Sequence, residues 1–356
     1  MSSISFDTYK SILLDHCRAN LEQFAATADN KNVYAVVLDA HATYGSVNLK
    51  WNTLHALDHT VQEYYSSYSP DRIHGFNGLK YSVGDFYYYD SNAPEEIDNF
   101  ALWYADKLSE LYDDANETDE AGECAADETA AYEEMAGAFI NLLVEVIQEL
   151  QPTFELLNKT DHFIAYLVEH DEDDMAYIRR TVSAEDYYKA FPEIREYEVY
   201  KEKISERSEA KQAEHWCSVL KDILLKQETE ETKAIQAMHR DEFDVRDELV
   251  RLGAPAAGEV VNLYQQLCGY KPTEDGSLLQ GDGWTCLNIL MDIGDADEAA
   301  ISQLQQVLNH KYEVDKAYTE CINIARTLHA LDATRFPKEE HDENRTRLTN
   351  FDAYTL

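Results

Sequence analysis

Positive charge is what this sequence has least of. Its 69 aspartates and glutamates face 30 lysines and arginines, leaving a formal charge of −39 at pH 7. Between Lys107 and Lys159 there is no cation at all, while 14 carboxylates fall in the same stretch. A surface so negative repels nucleic-acid phosphates and anionic headgroups, and it attracts basic proteins or cations. Direct contact with nucleic acid is therefore not expected, nor is docking on a membrane.

Other absences narrow the class further. No run of about 18 apolar residues exists that would cross a bilayer. The opening Phe6-Asp-Thr-Tyr-Lys10 leads into an amphipathic pattern rather than the apolar block of a leader peptide. The expectation is a soluble, cytoplasmic protein. Cys17, Cys124, Cys217, Cys268, Cys286 and Cys321 are scattered, with no CxxC pair. That spacing fits isolated reduced thiols better than a disulfide framework or a zinc site. There is no GxxxxGKS and no GxSxG element, and Gly281-Asp-Gly283 is too short for a phosphate loop.

What is present argues for real cores. Apolar residues make up 44% of the 356 positions, with 24 tyrosines, 12 phenylalanines and 4 tryptophans. A disordered acidic chain would be poor in aromatics. The length suffices for two domains, and the composition divides accordingly. Residues 1–200 carry 39 acids against 12 bases, and residues 201–356 carry 30 against 18. Nineteen of the tyrosines precede residue 201.

The first part, residues 1–204, reads as an α+β domain in which a small sheet is flanked by helices. Phe6, Tyr9, Ile12, Leu13, Cys17, Leu21 and Phe24 recur at helical spacing. Asn32–Asp39 is a short β-branched run, with Ser46–Trp51 as its hairpin partner. Asn52-Thr53 caps a helix through Leu54, Leu57, Val61 and Tyr64. The aromatic segment Leu79–Tyr89 is expected to be strand or extended. Pro94-Glu95-Glu96 opens a helix through Phe100, Trp103 and Leu108. The stretch Asp113–Glu128 reads as a loop or frayed helix start, and Ala131–Leu150 as a strong helix. His162–Val168 is a buried strand, with a further strand expected at Met175–Val182.

The second part, residues 205–356, reads as all-α. Helices are expected at Ser205–Gln227, Glu231–Leu252, Ala256–Cys268 and Trp284–Ile293, with Gly253 and Gly269 at helix ends. A long pattern from Ile301 to Leu331 follows, capped by Asp295 or Asp297. Antiparallel helical pairs would suit this pattern, but no repeat of constant period is present.

The order of elements over roughly residues 1–200 resembles the bacterial domain of unknown function DUF4303. The resemblance rests on the opening helix, the strand Val33–Leu38, Trp51-Asn52-Thr53 leading into a helix, the helix with Phe100 and Trp103, and the strand Phe163–Val168. Tyr81-Ser-Val-Gly-Asp85-Phe86 stands where that family shows a WSPxEW pattern, with Tyr, Asp and Phe in place of Trp, Glu and Trp and no proline after Ser82. The resemblance implies a fold and a setting near bacterial toxin and defence systems. It implies no reaction, and it leaves the helical C-terminal part uncovered.

Four groups of residues carry chemistry worth weighing. His55-Ala-Leu-Asp58-His59 has the i, i+4 imidazole spacing of a zinc helix but lacks the glutamate base, so a polar helix face is the simpler reading. Glu169 with Asp171, Glu172, Asp173 and Asp174 follows a strand and would suit Mg²⁺ or Ca²⁺ in a metal-dependent enzyme. Asp292-Ile-Gly-Asp295-Ala-Asp297 misses the EF-hand positions and fits helix capping. Tyr87-Tyr88-Tyr89 is either a recognition surface or a half-buried strand.

The function expected from these observations is non-enzymatic, with no cofactor and no metal: an acidic protein that docks a basic protein partner. An immunity or inhibitor protein that neutralises a nuclease-like toxin is one form, and mimicry of nucleic acid is a variant. The partner-binding carboxylates would be Asp113, Asp114, Glu117, Asp119, Glu120 and Glu123, together with Asp171, Glu172, Asp173 and Asp174. The alternatives are halophilic adaptation and a metal-dependent enzyme built on residues 169–174.

Overall fold

A computed structural model describes residues 4–90, 93–116, 126–170, 174–270, 283–315, 318–338 and 354. The chain forms two compact units, Met1–Arg195 and Glu196–Leu356.

The first unit begins with α1 (Phe6–Ala25), where the Ser5 side chain accepts from the Thr8 N–H. A hairpin of β1 (Val33–His41) and β2 (Ser46–Thr53) follows, then α2 (Leu54–Tyr64), capped by Thr53. The short α3 (Pro70–Ile73) and two 3₁₀ turns, Leu79–Tyr81 and Val83–Asp85, lead to the two-residue β3 (Tyr88–Tyr89). Next come α4 (Glu95–Asn116), α5 (Ala126–Glu149), α6 (Gln151–Phe154) and β4 (Lys159–Glu169). The unit ends through α7 (Asp174–Thr181), α8 (Ala184–Ala190) and the start of α9 (Pro192–Ser205).

The strands form a mixed sheet of order β3-β2-β1-β4. β1 pairs antiparallel with β2 (Leu38 opposite Leu49) and parallel with β4 (Leu38 opposite Leu167). Eight consecutive residues of β1 are buried. That is why the strand reads as an unbroken apolar run: both faces of the sheet are covered. On one face Val36, Leu38, Leu49 and Leu167 meet the inner rows of α1, α4 and α5, where Tyr9 stacks on Phe100 at 3.8 Å. On the other, Tyr34, Val37, Tyr166 and Val168 meet Leu57, Tyr81, Phe86, Ile178 and Phe191.

The sequence misplaces two elements of this unit. Leu79–Tyr89 is two 3₁₀ turns with only Tyr88–Tyr89 in the sheet. Met175–Val182 is helical rather than a strand. Ile178 and Val182 lie one turn apart, joined by the Val182 N–H donating to the Ile178 carbonyl at 3.0 Å, and Ile178 packs on the sheet as a helical residue.

The second unit is helical. It holds the rest of α9, then α10 (Glu209–Leu224), α11 (Glu230–Ala237), α12 (Glu242–Leu252) and α13 (Ala254–Leu267). α14 (Trp284–Ile293), α15 (Glu298–His310), a π-turn at Lys311–Asp315 and α16 (Tyr318–Leu331) complete it. Trp216, Leu220, Val260, Leu290, Leu304 and Leu328 lie in its core. The expected single helix Glu231–Leu252 is two helices. His239 takes φ 53, and Asp241 starts α12 with a capping box to Asp244. The long pattern to Leu331 likewise breaks at the π-turn. Asp297 caps α15, its carboxylate accepting from the Ala300 N–H at 2.8 Å.

Candidate functional site

Helices α4 and α5 pack against each other, and their sequences carry a strong excess of negative charge. Phe100 and Tyr104 of α4 face Phe139 of α5, while Tyr112 lies 6.0 Å from Tyr132. The two helices therefore run antiparallel. Their inner rows are spent on the core, so the polar residues are forced outward. α4 carries seven carboxylates and one cation, Lys107, and α5 carries six and none.

On α4 the exposed residues Asp98, Leu102, Asp106 and Glu110 follow one another at four-residue spacing. They form a single stripe along the helix. Leu102 is 59% exposed in the middle of it, and Tyr112, 56% exposed, lies near its end. Lys107 is engaged by Glu110. Like charges one turn apart, such as Asp106 and Glu110, weaken a helix by a few tenths of a kcal/mol. Helix stability is therefore not what the stripe serves. At the far end of α5, Lys10 of α1 reaches Glu145 and Glu149 at 2.5 and 2.7 Å. These hydrogen bonds raise the pKa of Lys10, and Lys10 in turn lowers that of Glu149.

Of the carboxylates named from the sequence, Glu117, Asp119, Glu120, Glu123, Asp171, Glu172 and Asp173 lie outside the described residues. Asp113 and Asp114 end α4 and Asp174 opens α7, and their side chains also lie outside the described residues. The stripe on α4 leads directly towards Asp113 and Asp114. Sequence reasoning named none of the stripe's four residues, Asp98, Leu102, Asp106 and Glu110. The available signal was Leu102, an apolar residue at a polar position of the helical pattern.

Glu169 does not face solvent. It is buried, and it accepts the Ala42 N–H at 2.8 Å, closing the turn after β1. Beside it, where β1 and β4 end, Asp39 holds Lys50 at 2.8 Å and approaches His170 at 3.5 Å, with the His41 and His170 rings 4.1 Å apart. Ligands gather at such carboxyl ends of parallel strands. Among the described residues, however, no group of three or more His, Cys, Asp or Glu is arranged to hold a metal ion. His55 and His59 are exposed on α2, and His59 approaches Glu63 at 3.4 Å.

A second feature lies on the opposite face of the sheet. A cavity of about 220 Å³ is bounded by Phe76, Tyr81, Tyr166, Ile178 and Phe191, with Asn77 at its exposed rim. The Tyr65 and Ser82 hydroxyls donate to Asp85 at 2.6 and 2.7 Å, and these bonds fix the 3₁₀ turns that carry Tyr81. Phe76, Tyr166 and Phe191 are far apart in sequence, so no local pattern announced this cavity.

Residues 13–185 match the family model described as Domain of unknown function (DUF4303), which leaves the helical C-terminal part uncovered. No curated protein matches the chain, and no solved structure does. No helix of the described residues is long and apolar enough to cross a membrane.

Proposed function

We propose that this chain is a non-enzymatic binding protein whose acidic α4–α5 face docks a basic protein partner. The observation that carries the reading is the stripe Asp98, Leu102, Asp106 and Glu110, an exposed apolar side chain set between carboxylates on a surface almost without cations. Carboxylates steer a basic partner into encounter and raise the association rate. Desolvated apolar anchors supply the binding energy. Leu102 and Tyr112 have the exposure that such anchors need in the free protein.

Neutralisation of a basic, nuclease-like toxin is the specific form that suits this chemistry, because nuclease surfaces are built to attract phosphates. Spaced carboxylates would occupy the same cationic groove. The test compares capture from the native host's lysate by the wild type and by the triple variant Asp98→Lys, Asp106→Lys, Glu110→Lys. A basic protein held by the first and lost by the second is the expected result. Its association rate with the purified wild type should fall about tenfold or more between 50 and 500 mM NaCl. A captured set identical for both proteins, or a rate independent of salt, refutes the reading.

A further inference from the structure

Exposed tyrosines crowd one edge of the sheet. β3 is the edge strand, and among the described residues it pairs with β2 alone. Tyr88 turns inward, its ring stacked on Trp51 at 6.0 Å. Strand alternation sends Tyr87 and Tyr89 to the other side, where they are 55% and 68% exposed. The Tyr87 ring meets His59 of α2 at 5.9 Å, and Tyr64, at the end of that helix, is 69% exposed. A hydrogen bond to Glu63 raises the pKa of the Tyr64 hydroxyl, and Tyr87 lies near enough to add to the effect.

The chemistry of this surface suits a guanidinium. Asp58 and Glu63 are exposed on α2, and Asp85, which accepts from the Tyr65 hydroxyl at 2.6 Å, precedes Tyr87 by two residues. Lys50, opposite Tyr89, is already held by Asp39 at 2.8 Å. The chain sets a guanidinium of its own in the adjoining rings. Arg72 lies 4.0 Å from the centre of the Tyr68 ring, and Tyr68 connects through Tyr65 to Tyr64 at 4.9 and 6.5 Å. Arginine, planar and weakly hydrated, stacks on tyrosine better than lysine does. The backbone adds a second requirement. The Asp90 N–H donates to the Leu49 carbonyl at 2.8 Å, so antiparallel alternation turns the N–H and C=O of Tyr89 away from β2, towards the open edge. An added strand pairs with such groups. Its alternate side chains stand about 7 Å apart, the spacing of Tyr87 and Tyr89 along β3.

We propose that the surface formed by Tyr64, Tyr87 and Tyr89 docks an extended peptide segment with arginines at alternate positions, laid along the open edge of β3. Tyr88 faces the side of the sheet that α1, α4 and α5 cover, whereas Tyr87 and Tyr89 face the opposite side. The peptide surface is therefore separate from the α4–α5 stripe and does not depend on the docking proposed there.

Fluorescence anisotropy of the full chain with a dye-labelled hexapeptide alternating arginine and threonine, in about 0.15 M NaCl to screen diffuse attraction, tests the proposal. A second peptide carries lysine in place of each arginine and so has the same charge. The arginine peptide should bind about threefold or more tightly than the lysine peptide. Methylating every backbone nitrogen of the arginine peptide, which prevents strand pairing, should weaken it about tenfold. The double variant Tyr87→Ser, Tyr89→Ser, at exposed positions, should weaken it about fivefold or more with the melting temperature unchanged. Phe243→Ser, which removes an exposed ring from the second unit, should leave binding as it was. No binding of the arginine peptide, equal binding of the arginine and lysine peptides, or no effect of backbone methylation overturns the proposal. So does binding unchanged in the tyrosine double variant, or a loss in Phe243→Ser as large as in that variant.

Discussion

Asp39 of β1 and Lys50 of β2 form an ion pair of 2.8 Å across the hairpin, and the Asp39 side chain is only 6% exposed. The hairpin register sets Lys50 opposite Val37, one diagonal step from Asp39, so both side chains project from the same face of the sheet. Lys50 keeps 21% exposure and brings the charge that lets a carboxylate remain buried there.

Removing one partner should therefore cost more than removing both. Lys50→Met is expected to lose about 3 kcal/mol of unfolding free energy, because Asp39 keeps a buried charge that His170, at 3.5 Å, only partly answers. The double variant Asp39→Asn, Lys50→Met should recover most of that loss. Urea unfolding of the three proteins checks it, and additive losses would show that the pair is not coupled.

The turn between those strands needs a glycine. Gly45 has φ +62, and a Cβ placed on it would come within 2.5 Å of the Tyr104 ring. Gly45→Ala should cost about 2 kcal/mol or more, combining left-handed strain with displacement of a core ring. Gly84, where an added Cβ meets nothing within 4 Å, is the control. Gly84→Ala should leave the unfolding midpoint nearly unchanged.

His215 predicts a pH dependence of the second unit. Burial, assisted by Arg207, lowers its pKa from the ordinary 6.5, and its Nε2 lies 2.9 Å from the Tyr200 hydroxyl. A folded-state pKa below the unfolded one means that the unfolded chain binds the proton first. The stability this group contributes is complete above pH 6.5 and is lost as the pH falls towards its folded pKa. The wild type should melt at lower temperature at pH 5 than at pH 7. His215→Gln should flatten part of that slope, and an identical slope in both proteins would exclude His215 as a cause.

Salt separates partner docking from halophilic adaptation. Screening of self-repulsion among carboxylates should be nearly complete by about 0.5 M KCl, where the Debye length is only a few ångströms. The melting temperature is expected to rise over that range and then level off. A rise that continues steeply to 3 M would point instead to a fold dependent on molar salt.

Sequence and structure divide the work according to distance along the chain. The opening helix, the β1–β2 hairpin, the Thr53 cap and helix α14 were legible because caps and periodic apolar residues act within a few positions. The charge that underlies the proposed docking was legible too, being a property of composition alone. The expected strand at Met175–Val182 and the expected extended segment at Leu79–Tyr89 misled for the opposite reason. Short apolar or aromatic runs carry no decisive period, and packing on the outer face of the sheet chose helix and 3₁₀ turns. Only the tertiary structure turned Glu169 inward to the Ala42 N–H, set Asp39 against Lys50, and brought Phe76, Tyr166 and Phe191 around one cavity. Those arrangements join positions far apart in the chain, and it is the closing of the fold that brings them together.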